Sequence, residues 1–509
     1  MARWYLLGLP FLLGVGLFAC GSSSAEDGGG PGPGGGAGAG GFPPDGGIGS
    51  GGAGASGQVT TEAAPLDPDV KLKPSASSPP TGASACAGFD NGSQLTVAVA
   101  DAHGMASGPR IRELLAKGTP GPAAVRRDEI TNYFRLDWPK APVAGGFFAR
   151  VGLRPRTVDG TVLPGHYDLL MAVRADPAVH TRKKVEMVVV LETSWALSEE
   201  SLARGRKAVR ALASSMLPGD HFTLRDVAGT EALSVELSDP KTELAGVEDL
   251  LVRETGESTR MAVEKALTKL QTTPADPAVW KRAVLVSNGG ASDSPDLSVV
   301  ETAAKGPHRI FFSAVGLGGD AYNGALLGAL SRAGRGAHLY ADSETEPSKL
   351  IEPRFDELFG LAAEDVRFSV KLPWFVKSSD PKAPDAADPA PPQHLSPGGT
   401  MMQVSHLLMC DTALAGAAET LDVSVSYTLP GTGTAATLPL KLGQLSTEVT
   451  LPVPELDELG AIDAWVAAFR APSASRYALA SQLLAAGALQ GKAPFDELKT
   501  LLALHPNAP

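Results

Sequence analysis

Residues 188–197 read VVVLETSWAL, and the fold turns on this stretch. A short apolar run ends at Glu192, Ser194 follows two residues later, and a helical pattern begins at about residue 199. A strand buried on both faces reads as such a run, and a polar loop at its end sits at the carboxyl edge of a parallel sheet. The pattern repeats outward. Short apolar strands are expected at 186–192, 222–227, 233–237, 283–288, 309–315 and 338–341. Amphipathic helices are expected between or after them at 199–216, 259–270, 323–332 and 346–361. Alternation of this kind predicts an α/β fold: a doubly wound, mainly parallel sheet covered by helices on both faces. Its functional edge is the carboxyl ends of the strands.

The flanks differ. Before residue 185, the stretch 94–102 alternates like a half-buried strand, 108–118 and 125–139 have helical spacing, and 147–153 and 167–173 are extended. After about residue 365, short alternating strands separated by Pro/Gly turns return, interrupted at 379–399 by a Pro/Asp/Ala-rich loop expected to be mobile. These strands and the two earlier extended segments predict a flanking β-sandwich. The last fifty or so residues, from Pro454, read as a C-terminal helical segment. The expected organisation is a signal peptide at 1–20, a tether at 21–85 and an N-terminal associated segment at 86–184. The α/β domain then covers 185–361, a sandwich segment 362–453 and helices 454–509.

The chain of 509 residues is 43% hydrophobic with a net charge of −12, enough for a large core and adverse to binding a nucleic-acid backbone. Its start combines Arg3, an apolar stretch too short to span a membrane comfortably, and Leu17-Phe18-Ala19-Cys20. That ending resembles the lipobox of bacterial lipoproteins. The resemblance implies acylation of Cys20 (with chains such as palmitate) and a lipid-anchored place in the cell envelope. Gly21 and Ser22 follow in place of an inner-membrane retention Asp, so the expected location is the outer membrane. The Gly/Pro/Ser-rich stretch after Cys20 has the composition of a flexible tether. Cys86 and Cys410 remain. In an oxidising compartment they form either a disulfide or two separate buried thiols, and the disulfide requires Cα atoms about 4.4–6.8 Å apart.

The region 185–361 resembles the von Willebrand factor type A domain. LTVAVADA (95–102), IRELLAKGTPGPAAVRRDEITNYFRLDWP (111–139) and VGLGGDAYNGALLGALSRAGRGAHLYADS (315–343) look like a bacterial lipoprotein branch of that family. Members of that branch carry an extra N-terminal segment and a C-terminal domain of unknown function. The family usually holds Mg²⁺ at a metal-ion-dependent adhesion site, written Asp-x-Ser-x-Ser, then a Thr, then an Asp. The hard ion takes six oxygens and leaves one position for a partner's carboxylate. Carried over, the resemblance places Glu192 at the first Asp, Ser194 at the first Ser and Ala196 at the second. Thr259 takes the Thr position and Asn288 the last Asp. Glu192 carries one methylene too many, Ala196 supplies no oxygen and Asn288 supplies no charge. The expectation is a degenerate site in which Mg²⁺ binding is weak or absent, with no other cofactor. Trp195 stands where the family commonly has a small Gly; it either packs, caps the loop or is exposed as an aromatic anchor.

No catalytic set is legible. Ser194 lacks the glycines of a nucleophile elbow, and the nine histidines show no zinc spacing. His166, His180, His221, His308 and His338 read as strand-edge or loop residues, solvated or hydrogen-bonded. The glycine-rich 315–320 lacks the Lys-Ser/Thr of a phosphate loop. The sequence therefore points to a non-catalytic module that binds a protein or cell-surface polymer through Ser194, Trp195, Thr259 and Asn288. Two alternatives stay open: a metal-dependent adhesin using a retained weak cation site, and an envelope enzyme using a site in 365–509.

Overall fold

The computed structural model of the chain describes residues 86–89, 94–97, 99, 103–118, 120–136, 138–158, 161–195, 197–228, 230–253, 258–290, 293–319, 322–379, 393–414 and 418–506. Cys20, the expected signal peptide and tether, and Ala196 lie outside these residues.

Four strands precede the central sheet: β1 (Gln94–Val97), β2 (Pro142–Val143), β3 (Phe147–Val158) and β4 (Thr161–Ala175). The sheet itself contains β5 (Lys184–Leu191), β6 (His221–Asp226), β7 (Glu231–Glu236), β8 (Val279–Ser287), β9 (Phe311–Gly316) and β10 (Arg335–Tyr340). After it come β11 (Glu364–Lys371), β12 (Val376–Ser378), β13 (Thr400–Met409), β14 (Thr420–Thr428) and β15 (Ala435–Gln444).

The central order is β10-β9-β8-β5-β6-β7, parallel except for the last pair. In β5, Val188 and Val190 pack with helices Thr259–Thr272, Leu297–Lys305 and Gly324–Ala333. Met187, Val189 and Leu191 point the other way, toward helix Glu199–Ser214 and the helical stretch around Leu350 and Phe355. That two-sided burial is why the strand is an unbroken apolar run. From β5 the chain winds out to β6 and β7, then returns to lay β8 on the other side of β5. Such a switch point opens a crevice beyond the carboxyl ends of the two strands, where α/β sheets place their ligands. Glu192 follows β5 and Asn288 follows β8, so the loops singled out by sequence meet there.

The flanking β-sandwich is formed by sheets β1-β11-β14-β15 and β12-β13-β4-β3-β2, antiparallel throughout, around one shared core. Alternation along β4 explains its layering: Leu169, Met171 and Val173 enter the sandwich core. Leu170 and Ala172 face the C-terminal helices Pro454–Arg470, Ala474–Leu484 and Ala493–Ala503, together with Ile130 and Phe134 from the N-terminal segment. The C-terminal helices are thus a second cover for the sandwich rather than an appendage. Cys86 and Cys410 are joined in a disulfide with Cα atoms 5.7 Å apart, both within the sandwich core.

One expectation needs correction. The loop expected to be mobile at 379–399 is anchored in its last part: Gln393, His394, Leu395 and Ser396 are buried. Leu395 and Ala363 exchange backbone hydrogen bonds. His394 stacks on His103 with ring centroids 4.0 Å apart, and burial lowers the pKa of both imidazoles, that of His103 to about 4. Composition marked the loop, but these backbone and ring contacts come from partners far away in sequence. Of the two states expected for His338, solvated or hydrogen-bonded, it takes the second: it is buried, lies 3.1 Å from Glu129 Oε1 and from the Tyr322 hydroxyl, and is bridged by residue 104. Among the described residues no helix is long and apolar enough to cross a membrane.

Candidate functional site at the carboxyl edge of the central sheet

Glu192 is 3% exposed, its backbone N–H donating to the Val286 carbonyl at 2.9 Å. The side chain folds inward. Oε1 accepts from the Ser194 hydroxyl at 2.8 Å, and Oε2 accepts from the Ser287 hydroxyl at 2.6 Å and the Asn288 N–H at 3.2 Å. Both carboxylate oxygens are therefore engaged by this chain's own donors. The Ser287 hydroxyl in turn accepts from Gly289 N–H at 2.8 Å. Gly289 has φ +71, and a Cβ there would meet Leu327 Cγ at 3.0 Å and the Asn323 carbonyl at 3.1 Å. Glycine is needed for both the turn and the close approach.

Asn288 is buried and turned into its own loop: its Oδ1 accepts from Gly290 N–H at 2.7 Å, and its carbonyl accepts from Asn323 N–H at 2.8 Å. Thr259 opens its helix, buried to 6% exposure, where Ser258 caps the end by accepting from Met261 N–H. No hydrogen bond joins Thr259 to the Glu192 network among the described residues. The structure thus brings together Glu192, Ser194 and Asn288, and does not join Thr259 to them among the described residues.

Trp195 is 67% exposed, which excludes plain packing. Arg253 lies over its ring at 5.0 Å, donates from Nη1 to the Ser194 carbonyl at 3.1 Å and pairs with Glu199 at 3.0 Å. Ser287 and Arg253 were missed by the sequence reasoning. Ser287 had a signal, since it directly precedes Asn288; Arg253 had none, because its loop is distant in sequence. Among the described residues no group of three or more His, Cys, Asp or Glu is placed to hold a metal ion.

Farther along the same edge, a buried polar chain closes the β9–β10 end. Ser107 donates to Glu129 Oε2 at 2.6 Å, His338 Nδ1 lies 3.1 Å from Glu129 Oε1, and His338 Nε2 lies 3.1 Å from the Tyr322 hydroxyl. Burial pushes the Glu129 carboxyl up, but the facing His338 ring and the Ser107 and Arg126 contacts outweigh it and hold the pKa at about 2. Burial raises the Tyr322 hydroxyl. The chain joins a carboxylate, an imidazole and a protonated phenol, and it fastens the N-terminal helices to the sheet.

Residues 186–352 match the family model of the von Willebrand factor type A domain. Among solved structures, the chain is similar to a von Willebrand factor type A protein of Catenulispora acidiphila: 12% identity, 74% of this chain and 100% of that one, TM-score 0.44. It is also similar to the ArnB paralog VWA2 of Sulfolobus acidocaldarius, with 12% identity, 72% and 100% coverage and TM-score 0.40. The manganese-loaded TRAP protein of Plasmodium vivax aligns at 12% identity over 52% of this chain and 94% of that one, TM-score 0.28. No curated protein matches the chain. With its sheet order, its two helical layers and its family match all falling on the same residues, the central portion of this chain is a von Willebrand factor type A domain.

Proposed function

We propose that this domain is a non-catalytic binding module of the cell envelope, lipid-anchored through Cys20 in the outer membrane, whose adhesion-site loop works without a divalent cation. One observation carries the reading: both oxygens of Glu192 already accept hydrogen bonds from Ser194, Ser287 and Asn288. A cation would have to displace these donors from a buried carboxylate, and the ligand charge that sets affinity for such ions is at most one negative here. Asn288 Oδ1 is committed to Gly290, and Ala196 has no side-chain oxygen. The extra methylene of Glu192 is what lets the carboxylate reach the β8 hydroxyl.

What the loop offers a partner is then the exposed Trp195 face backed by the Arg253 guanidinium, with the half-buried Ser194 next to it in the loop; Thr259 and Asn288, expected to share this face, are buried. A large aromatic ring pre-positioned by a stacked cation resembles the anchors that dominate protein–protein binding. The partner is a protein or a cell-surface polymer. Cross-linking capture from native membranes, repeated with Trp195→Ala, tests this. Capture should fall roughly tenfold or more, by the usual size of hot-spot losses. The melting temperature should stay unchanged, since the ring is largely exposed, and chelator should release nothing. Undiminished capture by Trp195→Ala would place the binding face elsewhere. The anchor has its own test: Cys20→Ser should move the protein from the membrane fraction to the soluble fraction, and a variant held as firmly as the parent would refute acylation there.

A further inference from the structure

Where the central domain gives way to the sandwich, two stretches of chain, 360–366 and 393–396, are bonded to each other. Leu395 and Ala363 exchange backbone hydrogen bonds, and the Leu395 carbonyl also accepts from Ala362 N–H. Val366 N–H donates to the Gln393 carbonyl at 3.0 Å, and the Ser396 hydroxyl donates to the Gly360 carbonyl at 3.0 Å. Onto this joint the N-terminal segment lays His103. Its Nε2 donates to the His394 carbonyl at 2.8 Å, and its ring stacks on the His394 ring at 4.0 Å. Phe311 of β9 packs against the His394 ring at 4.6 Å. Three parts of the molecule therefore meet at two imidazoles.

Both residues are buried, His103 to 4% and His394 to 1% exposure, and His394 Nδ1 has no hydrogen-bond partner among the described residues. The charged groups that act on the pair come from three elements. β8 contributes the Arg282 guanidinium, and β10 that of Arg335, which is paired with Asp365. The short helix Phe355–Phe359 contributes Glu357, already paired with Arg354 and, at 3.8 Å, with Arg135. A proton on either ring therefore creates a buried charge against a second imidazole and a guanidinium, opposed by one carboxylate that other cations already share. Burial and like charge both disfavour the protonated imidazole. Burial lowers His103 to about 4, and burial with the facing His103, Arg282 and Arg335 holds His394 well below its ordinary value. A cavity of about 20 Å³, lined by His103, Arg135 and Glu357 among others, has room for about one water next to the pair.

We propose that the stacked His103 and His394 form an acid-sensitive latch: proton uptake parts the rings and opens the joint between 360–366 and 393–396, while the central sheet stays folded. Opening puts both imidazoles in water, where they titrate at the ordinary value of 6.5, whereas the closed joint holds them below it. The latch is thus fully closed above about pH 6.5 and loses its hold as pH falls from there toward 4. The closing equilibrium drops by roughly tenfold per pH unit for each imidazole that the opened joint protonates. Opening breaks only the short set of bonds between the two stretches, a smaller event than parting the ladders of β5 to β10.

The experiment is hydrogen–deuterium exchange of the full chain from neutral pH down to about pH 4.5, with rates corrected for the intrinsic pH dependence of exchange. Peptides covering 360–366, 393–399, β5 and β8 are followed by mass spectrometry. Protection of the Ala362, Ala363, Leu395 and Val366 amides should fall with pH, approaching about a hundredfold per pH unit for two protons, while β5 and β8 keep theirs. His394→Phe keeps a ring against His103 and removes an imidazole whose Nδ1 has no partner among the described residues. It should cut the dependence to about tenfold per pH unit, and combining it with His103→Phe should abolish the dependence at these amides. His394→Phe alone stands as the test if the double variant does not fold. His180→Gln removes another imidazole that burial lowers and should leave the latch unchanged. Protection that stays constant throughout, a dependence undiminished in His394→Phe, or protection lost equally from β5 and β8 would overturn the proposal.

Discussion

Replacing Cys86 and Cys410 together by serine is expected to cost roughly 4 kcal/mol of stability. The bond closes a loop with a sequence separation of 324, spanning the whole von Willebrand domain and the sandwich strands β1 to β4 and β11 to β13. In the chain-entropy account a link of that length removes much of the freedom of the unfolded chain, with the gain rising only slowly with length. The native state also depends on it locally. Cys86 precedes the edge strand β1, which among the described residues pairs only with β11, while Cys410 directly follows β13 near the centre of the other sheet. The urea midpoint of the serine variant should therefore fall with little change in slope, and reductant should lower the parent's midpoint to the same value. A parent midpoint indifferent to reductant would contradict this.

The second large effect concerns the adhesion-site loop. The triple variant Glu192→Asp, Ala196→Ser, Asn288→Asp restores the family's ligand types. The shorter carboxylate at 192 should no longer reach Ser287, which frees it to face the crevice, while the other two changes add an oxygen and a charge. A cation that binds only the folded state, present at 100 times its dissociation constant, stabilises by about 2.7 kcal/mol. The melting temperature of the triple variant should thus rise with Mg²⁺ and fall back with chelator. An Mg²⁺-indifferent variant would mean that other features, such as the Arg253 guanidinium at the Ser194 carbonyl, also bar the ion.

Most of the central sheet was legible because burial on both faces writes itself into β5 as an apolar run, and because Asn288 and Gly289 punctuate the end of β8. The capture of Glu192 was not. It depends on the β5–β8 register, which sets Leu191 against Val286 and so brings Ser287 under the carboxylate. No spacing along the chain encodes that. Arg253 was invisible for the same reason, its contact with Trp195 being made entirely in the fold. Helix Leu297–Lys305 went unnoticed although its signal was present: Asp296 caps it by accepting from Ser298 N–H, and Val300, Ala303 and Ala304 form its buried face. At nine residues it is too short for periodicity to stand out.

The central claim, that the Glu192 carboxylate is already satisfied and the loop works without a cation, is tested most directly by titrating Mg²⁺ into chelator-treated parent protein in a calorimeter, with melting followed in parallel. The account predicts no binding heat at millimolar Mg²⁺ and an unchanged melting temperature. Saturable one-to-one binding with a melting rise that chelator reverses, and that Ser194→Ala removes, would contradict it.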